Sequence, residues 1–391
     1  MFTLLKNTLF ISIAIMLWLF VIFPFFLKLF GIDIPTPDFG AQGGSTQETE
    51  VLLRSVDAGA SWENAGRSAR EDMHFPSRIL TLVPHPSLPS LLYLGSSDAG
   101  LWATQDSGAS WFPVRDPTGA LKEYAAVNKI AVMREDPLIV YMAAFQDRHG
   151  TVLRSTDGGI HFRKVYTVSR PQLFVRDIQI VAHDANHLLI ATEEGGLLET
   201  HNGGETWRVL RWFPDALTRI VMPKETSETI HVVTSGGAIE KTIDGGNRWE
   251  RIAPSLAPSK QDLASRALPV PSPFFFLSVF SPAFRLKGTL TEQAQNSFLL
   301  LLASPRGLFR SEDGGITWKS FVLPDTAGSG VGAGIIHPYH TGNIFAAVKK
   351  NLYESEDGGI SWRKTEFDIG NGIEYIFIHP LTPSQIGRAH V

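Results

Sequence analysis

Four basic residues recur at one place in a repeated pattern. Counting back from the end of four successive apolar runs, Arg78, Lys129, Arg176 and Arg219 fall at equivalent positions. If those runs are strands set side by side, the four cations converge on one opening as a basic arc that could hold an anionic or protein partner. Dispersed, they are four separately solvated charges. The later runs break the pattern, with Pro273 or Phe274, Gly330 and Gly372 in that place. Arg148, His149, Arg211 and Trp212 stand in adjoining loops and could extend the arc, because Arg and Trp are common interface anchors. The acidic pairs Glu193-Glu194 and Glu135-Asp136 raise a second chemistry, since two carboxylates roughly 5 to 9 Å apart can hydrolyse a glycosidic bond. Both pairs lie in stretches expected to turn, where carboxylates are usually solvated, and no catalytic residue is assigned.

Composition narrows the classes further. The chain has no cysteine, which removes disulfides, thiolate metal sites and cysteine nucleophiles together. Acidic residues recur in D-x-G turns, but oxygen ligands at EF-hand spacing with a distal Glu are missing; no metal and no cofactor are expected. A net charge of -4 and a pI near 6.3 give no overall field that would gather nucleic acid.

The elements that must position these residues follow from an internal repeat. The pattern S/T-x-D-x-G-x-S/T-W appears in full at Asp57 with Trp62, Asp106 with Trp111, Asp313 with Trp318 and Asp357 with Trp362. It returns degenerate at Asp157 with Phe162, Asn202 with Trp207 and Asp244 with Trp249. A carboxylate in a hairpin turn accepts backbone N–H groups, the glycines take positive φ, and the indole packs between sheets. These residues therefore read as structural staples. Successive box positions lie 49, 51, 45, 42, 69 and 44 residues apart, so one interval carries an insertion.

The boxes resemble the Asp-box of BNR-repeat proteins, a superfamily that includes sialidases, sortilin-like receptors, xyloglucan-active glycosidases and the photosystem II assembly factors. The resemblance covers nearly everything after residue 50. It implies a β-propeller but not an activity, because one fold hosts many functions. Likeness to the assembly factors implies an arginine patch that binds a partner, for which Arg78, Lys129, Arg176 and Arg219 are the matching positions. Likeness to the sialidases implies an Arg-Ile-Pro motif; the nearest match, Arg78-Ile79-Leu80, lacks the proline.

Two apolar runs precede each box and a third leads into it, giving four short strands in roughly 45 residues, the size of a propeller blade. The expected fold is all-β: a seven-bladed β-propeller over residues 51–385, with six full blades plus an incomplete closing blade, after an N-terminal transmembrane helix. The closing blade takes its first strand from 372–380 and its box from the N-terminal side, with no second strand in view. In the long interval, 275–282 is expected as an ordinary first strand, between insertions at 253–271 and 283–296.

Residues 9–27 are apolar except Ser12 and Pro24, about the length that crosses a hydrocarbon core. A cytoplasmic stretch at 1–7, an anchor at 8–30 and a Pro/Gly-rich linker at 31–50 are expected, placing the propeller outside the cell membrane. Secretion after signal cleavage is the alternative. The last six residues, 386–391, match the translation of a sequencing-library adapter and are expected not to be native. The leading function is a membrane-anchored, non-catalytic binding or assembly scaffold; the alternative is a glycoside hydrolase, sialidase-like or xyloglucanase-like, of the same superfamily.

Overall fold

The structure is a computed structural model that describes residues 52–390, apart from 71–72, 182–183, 224–226, 254–275, 281–298, 325–329, 366–371 and 385. The anchor and linker expected before residue 51, and nearly all of both insertions, lie outside the described residues.

Alternating apolar runs broken by glycine turns pair as seven four-stranded antiparallel sheets. Six are continuous in sequence, with first strands Ile79–Pro84, Ala126–Val132, Val175–Ile180, Leu217–Val221, Phe276–Phe280 and Ala333–Ile336. The seventh joins the two ends of the chain, in the order Glu63–Asn64, Leu52–Ser55, Ile386–His390, Ile373–Ile378. First strands of blades 1 to 7 touch in succession. The circle closes where the Tyr375 phenol donates to the Leu82 carbonyl at 3.2 Å. The fold is thus a seven-bladed propeller whose first strands are innermost.

One strand differs from the sequence reading. The place left empty in the closing blade is filled by Ile386–His390, with Leu52 opposite Ala389 and Ser55 opposite Ile386. Ile386 is buried with Leu53, Ile376 and Ile378. A segment containing Gly, Arg and His carries little strand signal of its own; backbone pairing between two existing strands is what makes it extended.

The core consists of layers between successive blades. Tyr141, Ala143 and Val152 of blade 2 pack on Ile178, Leu188 and Ile190 of blade 3, and Leu189 and Leu197 of blade 3 pack on Ile220 and Val232 of blade 4. Each box closes the hairpin between third and fourth strands and also reaches the neighbouring blade. In the fifth blade, Ser311 Oγ donates to Asp313 Oδ1 at 2.8 Å, while Gly315 N–H donates to Ser311 Oγ and Thr317 N–H to Asp313 Oδ1. The indole N–H of Trp318 reaches the Ile252 carbonyl at 3.1 Å, and Trp207 and Trp111 reach Val165 and Ala65 in the same manner. The second box glycine has two reasons to be glycine. Gly246 has φ +99°, and a Cβ there would stand 2.9 Å from the Leu210 side chain of the preceding blade.

These turns bind their own carboxylates. Asp57 is lowered to about 2 by hydrogen bonds from Ser61 and Ser55. At Asp313, burial acts upward but is outweighed by the bonds from Thr317 and Ser311, which also bring it to about 2. Asp357 is held well below the ordinary carboxylate range, first by Ser361.

Candidate functional site

Antiparallel pairing fixes which residues share a rim. The start of each first strand lies beside the hairpin joining second and third strands, as Ile79 opposite Ser96 and Val175 opposite Thr192 show. Arg78, Arg148, His149, Arg176, Arg211, Trp212 and Arg219 therefore fall towards one rim, the hairpin rim. The boxes lie at the other, the box rim.

Register corrects the expected equivalence of the four cations. In five blades the first strand carries a bulge at the same step: Ile79 to Thr81, Val127 to Lys129, Val175 to Asp177, Leu217 to Arg219 and Ile373 to Tyr375. The residues after the bulge are the equivalent ones: Thr81, Lys129, Asp177, Arg219 and Tyr375. The same register through the second and third strands puts Phe276 and Ala333 there in blades 5 and 6. Lys129 and Arg219 do share a ring position. Arg176 stands on the bulge itself, in line with Asn128 and Thr218, and Arg78 precedes the first strand. Measured against this shared position, Arg176 stands one residue early and Arg78 three.

Asp177 is the residue the sequence reading missed at this ring. It is 2% exposed and lies between the two cations in blade order. Its Oδ1 is 3.5 Å from Lys129 Nζ and accepts the N–H of Ile178; its Oδ2 accepts the N–H of Ile220 at 2.8 Å. The carboxylate thus ties blade 3 to blade 2 through Lys129 and to blade 4 through Ile220. Lys129, with a side chain 23% exposed, is pushed below the ordinary lysine value, first by burial and then by Arg219, against the pull of Asp177. Tyr375 is pushed up by burial, with Arg219 opposing and Asp177 adding. Asp177 and Arg219 therefore act on both Lys129 and Tyr375 across the inner ring. A one-residue allowance in aligning the first strands would have found the set.

The remaining basic and aromatic candidates are distributed along the hairpin rim, while Glu135-Asp136 lies between first and second strands, beside the box. Arg176 is paired to Glu193 at 2.5 Å and lies over the Phe174 ring at 4.4 Å, and Glu193 also accepts the Phe174 N–H. That glutamate is thus a positioning group for a cation. In the other acidic pair, Asp136 accepts the Leu138 N–H of its own turn. His149 Nδ1 faces the Asp147 carbonyl, and Tyr124 donates to the Asp147 carboxylate at 2.7 Å. Arg211 lies over Phe213 and Trp249, and Trp212 beside it is 54% exposed.

A ring of innermost strands with a cationic pair about one buried carboxylate defines the class: a seven-bladed propeller with a polar inner ring and an aromatic, basic rim. No protein-family profile matches the chain. Among curated proteins, it is similar to the oligoxyloglucan-reducing end-specific xyloglucanase of Emericella nidulans, 23% identical over 191 residues, covering 44% of this chain and 24% of that protein. It is also similar to the xyloglucanase Xgh74A of Acetivibrio thermocellus, 22% identical over 242 residues, covering 52% of this chain and 28% of that one. The chain thus matches about a quarter of the length of these relatives. Among solved structures, YCF48 from Cyanidioschyzon merolae superposes with a TM-score of 0.58 at 15% identity, over 80% of this chain and 96% of that one. YCF48 bound to D1 peptide gives 0.56 at 16%, over 80% and 93%. The GH74 xyloglucanase from Xanthomonas campestris gives 0.55 at 17%, over 75% and 46%. At these identities the likeness establishes the fold.

Proposed function

We propose that this chain is a non-catalytic binding propeller that takes a carboxylate-bearing protein segment at its hairpin rim, held outside the cell membrane by the apolar segment at 8–30. The observation that carries the reading is the placement of Lys129 and Arg219 at equivalent inner positions on either side of Asp177. Lys129, whose charged form burial and Arg219 disfavour against the pull of Asp177, gains when a further anion enters beside it, because added negative charge favours the charged form. Trp212, exposed beside Arg211 on the same rim, offers apolar area next to that charge. One propeller of this shape is a structure of YCF48 with a D1 peptide bound, which supports a protein partner.

A glycoside hydrolase is the second reading, favoured by the xyloglucanases among the relatives. Such an enzyme needs two carboxylates facing one bond. Among the seven ring positions only Asp177 is acidic, and its oxygens already serve Lys129 and two backbone N–H groups.

A photo-cross-linking residue at position 212, with a control at exposed Ile360 near the box rim, tests the reading in membranes of the source cell. The expected result is a protein adduct from position 212 and none from 360, with no reducing ends released from xyloglucan. Equal adducts at both positions, or sugar release, would overturn it.

A further inference from the structure

The box rim of blade 3 holds a different chemistry. The ladder between the second and third strands pairs Leu188 with Thr200 and Leu189 with Glu199. One step beyond its end, His187 and His201 come opposite each other, and Glu199 lies on the same face, two residues from His201. The imidazole rings are 4.0 Å apart between centroids. Both Nε2 atoms turn to the same carboxylate oxygen, Glu199 Oε1, at 2.6 Å from His187 and 3.4 Å from His201. The other oxygen, Oε2, is held by Arg208, which donates from Nε at 2.8 Å and from a terminal nitrogen at 2.5 Å.

We propose that His187, Glu199 and His201 form a binding site for one divalent transition-metal ion of the zinc type. The three donor atoms lie within 4.8 Å of one another. Around a tetrahedral ion with bonds of about 2.0–2.2 Å, donors stand roughly 3.3–3.5 Å apart, so the His201 spacing already fits and the His187 contact has to open by less than about 1 Å. Two imidazoles and one carboxylate suit zinc, copper or nickel and are poor ligands for calcium or magnesium, which take oxygen. Arg208 decides how the carboxylate binds. By occupying Oε2 it leaves Oε1 as a single donor, and by orienting the carboxylate it holds that donor towards the imidazoles.

Access and purpose follow from burial. Glu199 is 8% exposed while His201 is 55% exposed, so an ion enters past His201 and sits at the surface of the blade, with a fourth position open to water. His187 belongs to the turn before the second strand and His201 to the box after the third. An ion there ties those two turns together, on the rim opposite Lys129 and Arg219, and its presence is independent of the binding reading above.

The test is calorimetric titration of Zn2+ into the full-length chain, stripped with chelator and dialysed. One tightly bound ion per chain is expected, with Ca2+ and Mg2+ giving no comparable heat. His201→Ala changes an exposed side chain and leaves the fold intact by circular dichroism; it should weaken Zn2+ binding at least about tenfold, as should His187→Gln. His340→Ala, in a second histidine pair with ring centroids 5.0 Å apart, should leave binding unchanged. The proposal is overturned if the unaltered chain binds no Zn2+, if His201→Ala binds as tightly, or if His340→Ala removes the ion.

Discussion

Lys129 Nζ lies 3.5 Å from Asp177 Oδ1, and the two residues hold the same register position in neighbouring blades. The pair therefore does two things at once. It ties the first strands of blades 2 and 3, and it sets a buried carboxylate next to the cationic positions of the inner ring.

Removing that carboxylate leaves Lys129 and the N–H groups of Ile178 and Ile220 without their acceptor. Asp177→Ala is expected to lower unfolding free energy by roughly 3 to 5 kcal/mol. Urea unfolding measures this, and a loss under about 1 kcal/mol would contradict the role given to Asp177.

Acid should act on buried histidine before it acts on the boxes. His231 is fully buried, and burial, then nearby Lys241, lowers its imidazole from 6.5 to about 4. His85, His337 and His379 are also lowered by burial. At the ends of three first strands, their Nδ1 atoms accept backbone N–H groups. For each, the folded pKa lies below the unfolded one. The contribution is therefore present above about pH 6.5 and is lost as pH falls from there through the folded value. For His231 it amounts to roughly 3 kcal/mol over that window. His231→Leu should flatten the fall in urea midpoint between pH 6.5 and 4; an unchanged slope would show that this imidazole titrates normally.

The indoles separate packing from recognition. Trp111 is fully buried between blades 1 and 7 and donates to the Ala65 carbonyl at 2.9 Å. Trp111→Ala should destabilise by about 3 to 5 kcal/mol. Trp212→Ala, at an exposed site, should change stability by no more than about 0.5 kcal/mol. Thermal or urea unfolding of the two variants checks the contrast, which fails if the losses are similar.

The box carboxylates are expected to hold no calcium. In the last box, Asp357 accepts from Ser355 Oγ and from the backbone and hydroxyl of Ser361, and Asp57, Asp106 and Asp313 repeat the scheme. An ion would have to displace those donors. Calcium added to chelator-treated protein should leave the thermal midpoint unmoved, whereas a rise with calcium would assign the boxes a metal role.

Much of the architecture was legible because its determinants are local. The spacing of Asp57, Asp106, Asp157, Asn202, Asp244, Asp313 and Asp357 marks seven hairpins, and the glycines and indoles around them are turn and packing residues by type. The inner ring was legible only in part. Lys129 and Arg219 share the ring position, but an offset in aligning the strand starts hid Asp177 and Tyr375 and drew in Arg176, which Glu193 holds at the rim. His187, Glu199 and His201 could not be joined from the sequence, since strand pairing alone sets His187 against His201. The strand at Ile386–His390 was hidden for a similar reason, its extension coming from the neighbours on either side.

Capture of a carboxylate-bearing segment through the inner cations is the role proposed for the hairpin rim. Its most direct test is fluorescence anisotropy of a labelled, extended peptide ending in Asp-Glu, titrated with the full-length chain and with Arg219→Ala at low and raised salt. Binding that weakens with salt, and at least about tenfold in Arg219→Ala while the thermal midpoint of that variant holds, is the expected result. Binding equal in both proteins and indifferent to salt would contradict the claim.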